Sequence, residues 1–172
     1  MKKQILTFIV IFSIITPLSP AGFEELWGLK SSELIKRLNI SSFSTFKPGD
    51  NPSYNNRIVD FFCTINPEVK STITILRSPG KPERDFCFFN ERLYSISEEW
   101  VSIDINSAQG IINALKEKYL LITVDEKTTE TVYNLKKNKT KAYLHRKSVD
   151  KQSVNIRIYY YSTDLFGILL RE

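Results

Sequence analysis

The connections between strand-like segments restrict this chain's fold more than any other feature. Leu93 to Val101 alternates, with Leu93, Ser95, Ser97 and Glu99 opposite Tyr94, Ile96, Glu98 and Trp100. It follows Asp85 to Phe89 after only Asn90-Glu91-Arg92. A parallel neighbour would need a crossover of a dozen or more residues, so short links of this kind dictate an antiparallel meander. Upstream, Arg57 to Ile65 is dense in β-forming residues. Val69 to Arg77 places Val69, Ser71, Ile73 and Ile75 opposite Thr72, Thr74 and Leu76. Both read as strands, separated by a turn at Asn66-Pro67-Glu68.

Two helices punctuate the pattern. Leu34, Ile35 and Leu38 recur at helical spacing behind a Ser31 or Ser32 cap. Ser107 to Tyr119 carries Ile111, Ile112, Leu115 and Tyr119 as an apolar stripe, with Lys116, Glu117 and Lys118 facing away and Asn106 or Ser107 as cap. Strand-like segments resume at Leu120 to Val124, Glu130 to Leu135, Lys141 to Arg146, Val154 to Tyr161 and Leu165 to Leu170. The expected fold is therefore α+β: two helix-plus-antiparallel-sheet halves, about 22–103 and 104–172, within one domain spanning 22–172.

Residues 1–21 read as a cleaved signal peptide. Lys2 and Lys3 form the basic start, and Ile5 to Ile15 is apolar apart from Thr7 and Ser13. Pro17 and Pro20 end any helix, while Ser19 and Ala21 supply the small residues of a cut before Gly22. The stretch is shorter than the roughly 20 apolar residues of a spanning helix, and no later stretch is long and apolar enough to cross a membrane. The protein is expected to be periplasmic or secreted, and the Lys, Ile and Asn bias points to a bacterium. Cleavage removes two lysines and no acid, leaving 22 basic and 19 acidic side chains, a net charge near +3. That balance is too mild to imply nucleic acid, and no nucleic-acid motif is present.

Four stretches resemble a loose group of small exported bacterial α+β proteins of unknown function with a Trp-Gly helix signature. The first is Leu26-Trp27-Gly28-Leu29-Lys30-Ser31-Ser32-Glu33-Leu34. The second is Phe89-Asn90-Glu91-Arg92-Leu93-Tyr94-Ser95-Ile96, with Glu91 or Arg92 where the group usually has glycine. Ile112 to Tyr119 and Val154 to Tyr161 complete the set. The resemblance implies a helix-plus-antiparallel-sheet fold and carries over no activity, because the group has no defined catalytic residues.

Few chemistries fit the residues present. His145 is the single histidine, so any Ser-His-Asp or Cys-His arrangement must use it. One histidine and two cysteines do not make a closed zinc site. The six glycines are scattered, so neither a phosphate-cradling loop nor a dinucleotide fingerprint is present. No cofactor or metal is expected.

Cys63 and Cys87 form a disulfide candidate, because export permits one. In a simple meander they sit on the first and third strands, about 9.6 Å apart across two strand spacings, beyond a disulfide's reach. Either those strands are neighbours and the bond forms, or both thiols are buried and inert among Phe62, Phe86 and Phe88.

The candidate interaction surface is the run Lys136, Lys137, Lys139 and Lys141 around a turn at Asn138, together with Tyr160 of Tyr159-Tyr160-Tyr161. The function expected is non-catalytic binding to a protein or an anionic envelope surface. The alternatives are a hydrolase built on dispersed carboxylates or His145, and a structural envelope component.

Overall fold

A computed structural model describes residues 20–50, 56–65 and 67–169. The signal-peptide reading falls, apart from Pro20 and Ala21, outside the described residues. The elements in order are α1 (Ser31–Leu38), β1 (Ser44–Phe46), α2 (Arg57–Ile65), β2 (Ile73–Ser78), β3 (Glu83–Phe89), β4 (Arg92–Asp104), α3 (Ile105–Lys118), β5 (Leu120–Glu126), β6 (Glu130–Lys137), β7 (Thr140–Ser148), β8 (Ser153–Ser162) and α4 (Thr163–Leu169). Short 3-10 segments at Pro20–Glu25 and Pro67–Thr72 precede α1 and β2.

All eight strands form one antiparallel sheet in the order β1-β2-β3-β4-β8-β7-β6-β5. Each run of four is a meander, and the last strand of each, β4 and β8, pair at the centre. The fold is thus α+β, as the short links dictate. The register sets one row across the sheet: Thr45, Leu76, Phe86, Ile96, Tyr160, Ala142, Leu135 and Leu121. Its central members are buried beneath Phe23 and Leu26, Leu34 of α1, and Ala108, Ile112 and Leu115 of α3. On the opposite face a smaller core gathers Ile73, Ile75, Cys87 and Tyr94 under Val59 and Phe62 of α2.

Three segments depart from the sequence reading. Arg57–Ile65 is a helix rather than a strand. Its apolar residues come as doublets, Ile58-Val59 and Phe61-Phe62, and Val59 and Phe62 are the buried pair. That spacing of three matches one helix face and breaks the period of two a half-buried strand needs. Asn56 starts the helix: its Oδ1 accepts from the Ile58 and Val59 amides at 3.0 and 3.3 Å. The segment Val69 to Arg77 is strand only from Ile73. Thr163–Leu169 is a helix, opened by the Ser162 hydroxyl accepting from the Leu165 amide. The cap of α3 is also displaced, to Asp104, whose carboxylate accepts from the Ser107 amide and hydroxyl. Those bonds, the Ser107 hydroxyl first, hold the Asp104 carboxyl below its usual range.

Asn56 is buried, and its amide also reaches Ser97 Oγ at 3.5 Å and Cys87 Sγ at 3.7 Å. It ties α2 to β3 and β4 as well as capping the helix. Asn56→Ala is expected to cost about 1–2 kcal/mol. The change should appear as a lower melting temperature and faster hydrogen exchange at the 57–65 amides than elsewhere. Uniform acceleration through the sheet would show that Asn56 has no special hold on α2.

Candidate ligand-binding cleft

The sheet is incomplete at one end. The last β3–β4 pair is Glu83 with Glu99, yet β4 continues to Asp104 with, among the described residues, only β8 paired to it. β3 begins at Glu83, after the turn from Pro79 to Pro82 that follows β2. Where β3 would have continued there is a cleft of about 810 Å³, within the range of ligand sites. Its lining includes the turn residues Gly80 and Lys81, the end of β4, and Ser107, Gly110, Ile111 and Ala114 of α3.

A β-bulge shapes its floor. Trp100 pairs with Ile156 and Ile103 with Val154, so Val101 and Ser102 together face one residue of β8, Asn155. Ser102 adopts φ 50°, a left-handed conformation uncommon for serine, and its amide donates to Asn155 Oδ1 at 2.8 Å. Such bulges re-aim side chains and recur beside functional sites. Val101 on the bulge is 65% exposed.

Two features of the lining have no internal account. Trp100 is 3% exposed, and its buried indole N–H has no hydrogen-bond partner among the described residues. Burying such a donor unpaired costs about 1–3 kcal/mol. Gly110 lies within α3, where glycine costs about 1 kcal/mol relative to alanine. A Cβ built there meets no atom within 4 Å, so no packing demands the glycine. Gly110→Ala is accordingly expected to raise stability by about 0.5–1 kcal/mol, read as a higher melting temperature. A lower one would mean that the glycine has a structural role.

The acids of the cleft are engaged. Glu83 and Glu99 are direct cross-strand partners, an arrangement that is unfavourable without counterions. Arg77 pairs with Glu83 at 3.3 Å and Arg157 pairs with Glu99. Asp104 is occupied as the helix cap. Lys81 makes no ion pair among the described residues.

The residues singled out from sequence lie elsewhere and do not converge. Lys136 and Lys141 face each other across β6 and β7 in a row with Leu120 and Tyr161. Lys137 belongs to the opposite face, beside Thr140. Lys139, in the turn, pairs with Asp164 at 2.7 Å. Tyr160 is 0% exposed: the alternation of β8 points it into the main core, its ring 4.6 Å from that of Phe23. It is a packing residue; Tyr159 and Tyr161 are on the face of Lys136 and Lys141.

His145 is on β7, its Nε2 3.2 Å from Glu130 Oε2, in the row of Arg157 and Glu99 and away from the cleft. Cys63 and Cys87 are not joined by a disulfide. The premise that both occupy strands fails, because Cys63 is on α2; burial pushes its thiol up, partly offset by Lys70. Among the described residues no group of three or more His, Cys, Asp or Glu is placed to hold a metal ion. No helix among them is long and apolar enough to cross a membrane.

The sequence reading missed the cleft. Its one legible signal was Gly110, a glycine inside an otherwise regular helical pattern. Comparison of the chain with protein-family models, with curated proteins and with solved structures finds no match.

Proposed function

We propose that this chain is an exported, non-catalytic binding protein whose site is the cleft between the β2–β3 turn, the end of β4 and α3. The observation that carries the reading is the cleft itself, about 810 Å³ between α3 and the stretch of β4 that runs on past the end of β3, lined in part by Trp100, Ile111 and Ala114. Gly110 supports the same reading, since it leaves unfilled a space that a better helix former would occupy. The carboxylates nearby are held by Arg77, Arg157 and Ser107 in arrangements suited to recognition.

The test compares the wild type with Gly110→Phe, which fills the cleft from a position with room for a side chain. Both are immobilised and exposed to the extracellular and periplasmic fractions of the native organism. A component retained by the wild type and lost with the variant is the expected result. Equal retention by the two, or a hydrolytic activity abolished by His145→Ala, would overturn the reading. Export is tested separately by N-terminal sequencing of the protein recovered outside the cytoplasm. The expected first residue is Gly22, and a chain that keeps residues 1–21 would contradict a cleaved signal.

A further inference from the structure

We propose that the edge of β5, at the end where it follows α3, rests on a lipid surface that carries negative charge. This surface is independent of the cleft. The first argument is exposure. β5 is the last strand of the sheet, with β6 on one side and no strand on the other among the described residues. All seven of its residues are exposed. Leu120, Leu121 and Ile122 stand at its start, 73%, 37% and 52% exposed, the longest run of exposed large apolar side chains among the described residues. Leu121 pairs with Leu135 and Thr123 with Asn134, so Ile122 is the extra residue of a bulge. Such a bulge bends the strand and blunts the edge as a template for another strand. Side chains, more than backbone, are what this edge offers to a partner.

The second argument is charge. Lys136 and Lys141 are direct cross-strand partners in the row of Leu120. Like charges so placed are destabilising, and neither lysine makes an ion pair among the described residues. Lys118, just ahead of the strand, makes none either. Two acids at this end are engaged: Asp164 pairs with Lys139 at 2.7 Å, and Glu24 accepts from the Asn138 amide at 3.3 Å. A third, Glu117, lies between Lys116 and Lys118 in the last turn of α3. Cations therefore outnumber acids around the apolar run, and an anionic partner offsets their repulsion.

The third argument favours lipid over protein. Protein interfaces gather aromatic residues, Met and Arg and are depleted in Lys. Here the cations are lysines, and the exposed run is aliphatic. Each lysine near an anionic leaflet adds about a fivefold factor in partitioning, and aliphatic side chains gain by leaving water at the acyl boundary. The edge's own main-chain groups keep it at the headgroup level, because hydrocarbon would leave them unsatisfied. Asp125 and Glu126 stand at the far end of β5, so the strand tilts with Leu120 towards the bilayer. α3 runs from Ser107 at the cleft to Lys118 at this surface, roughly 15 Å at 1.5 Å per residue. A chain resting here holds its cleft away from the lipid.

The experiment sediments the protein, as recovered from its native organism, with vesicles of phosphatidylcholine alone or with a quarter of phosphatidylglycerol, and repeats the anionic series at high salt. The expected result is saturable binding to the anionic vesicles, at least tenfold weaker to the neutral ones and reduced as salt screens the lysines. Lys136→Gln/Lys141→Gln and Leu120→Ser/Ile122→Ser, both at exposed positions and checked for native circular dichroism, should each lower the partition coefficient at least tenfold. Equal binding to neutral vesicles, or none to anionic ones, rules the proposal out. Binding that survives both variants places the contact elsewhere in the chain and does the same. Polyglutamate in solution probes the rival partner: binding as tight as to vesicles and unchanged by Leu120→Ser/Ile122→Ser would assign the lysines to an acidic protein instead. A concentration-dependent dimer abolished by Leu120→Ser/Ile122→Ser would assign the edge to a second copy. None of these outcomes touches the cleft, whose own test uses Gly110→Phe.

Discussion

Replacing Arg84 with alanine is expected to destabilise the fold by about 3 kcal/mol, lowering the melting temperature by roughly 6–12 °C for a chain of this size. The reason lies with Glu98. Its side chain is 0% exposed, on the helix-covered face of β4, and Arg84 Nε donates to its Oε1 at 2.8 Å. The Tyr160 hydroxyl contributes only a long bond of 3.4 Å to the other oxygen. Removing the guanidinium takes an ion-pair partner from a fully buried carboxylate, the change that costs most in a buried pair. The double variant Arg84→Ala/Glu98→Gln should recover part of the loss, because it removes the stranded charge. Thermal melts of the wild type, both single variants and the double variant give the coupling energy. An Arg84→Ala variant within about 0.5 kcal/mol of wild type, the range of ordinary surface changes, would mean that Glu98 finds another stabilising partner.

Tyr160→Ala is expected to cost about 3–5 kcal/mol, the range for deleting a large aromatic from a packed interior. The ring lies against Phe23 and, at 6.2 Å between centroids, Tyr119, and it stands in the central row between Ile96 and Ala142. Tyr160→Phe keeps that packing and loses only the long bond to Glu98, so it should cost about 1 kcal/mol or less. Lys136→Gln and Lys141→Gln provide the contrast. They relieve a like-charge cross-strand pair on an exposed surface and should stay within about 0.5 kcal/mol of wild type. Urea denaturation separates these cases. A mild Tyr160→Ala variant would restore the tyrosine to the candidate surface from which its burial removes it.

The last four β-strands were legible because β6, β7 and β8 alternate cleanly and are joined by turns rich in Asn, Asp, Lys and Ser. The first half was less so, and α2 is the reason. Ile58, Val59, Phe61 and Phe62 have high strand propensity, which packing over β2, β3 and β4 overrides. Misreading that one helix misplaced Cys63. It also hid what covers the second sheet face, where Asn56 binds Ser97 beside buried Tyr159. With both faces covered there, alternation along Tyr159-Tyr160-Tyr161 could not tell which ring is exposed. The cleft was beyond sequence reasoning for a different reason. It depends on where β3 stops relative to β4, a register fixed by the whole sheet and not by local pattern.

The central seam also governs how the chain must assemble. Apart from β1 and β2, which α2 separates, each meander is built from contacts between residues close in sequence; β6 and β7, for instance, close on a two-residue turn from Lys137 to Thr140. The β4–β8 seam is different: the bond from Ser95 Oγ to the Tyr160 carbonyl spans 65 residues. Closing so long a loop costs more conformational entropy than closing a hairpin. The two meanders therefore have reason to form early and independently, with the full sheet waiting on their meeting. Until then β4 and β8 are exposed edges rich in aromatic and β-branched residues, and the interval before the seam closes is the one in which this chain is most open to pairing with another copy of itself.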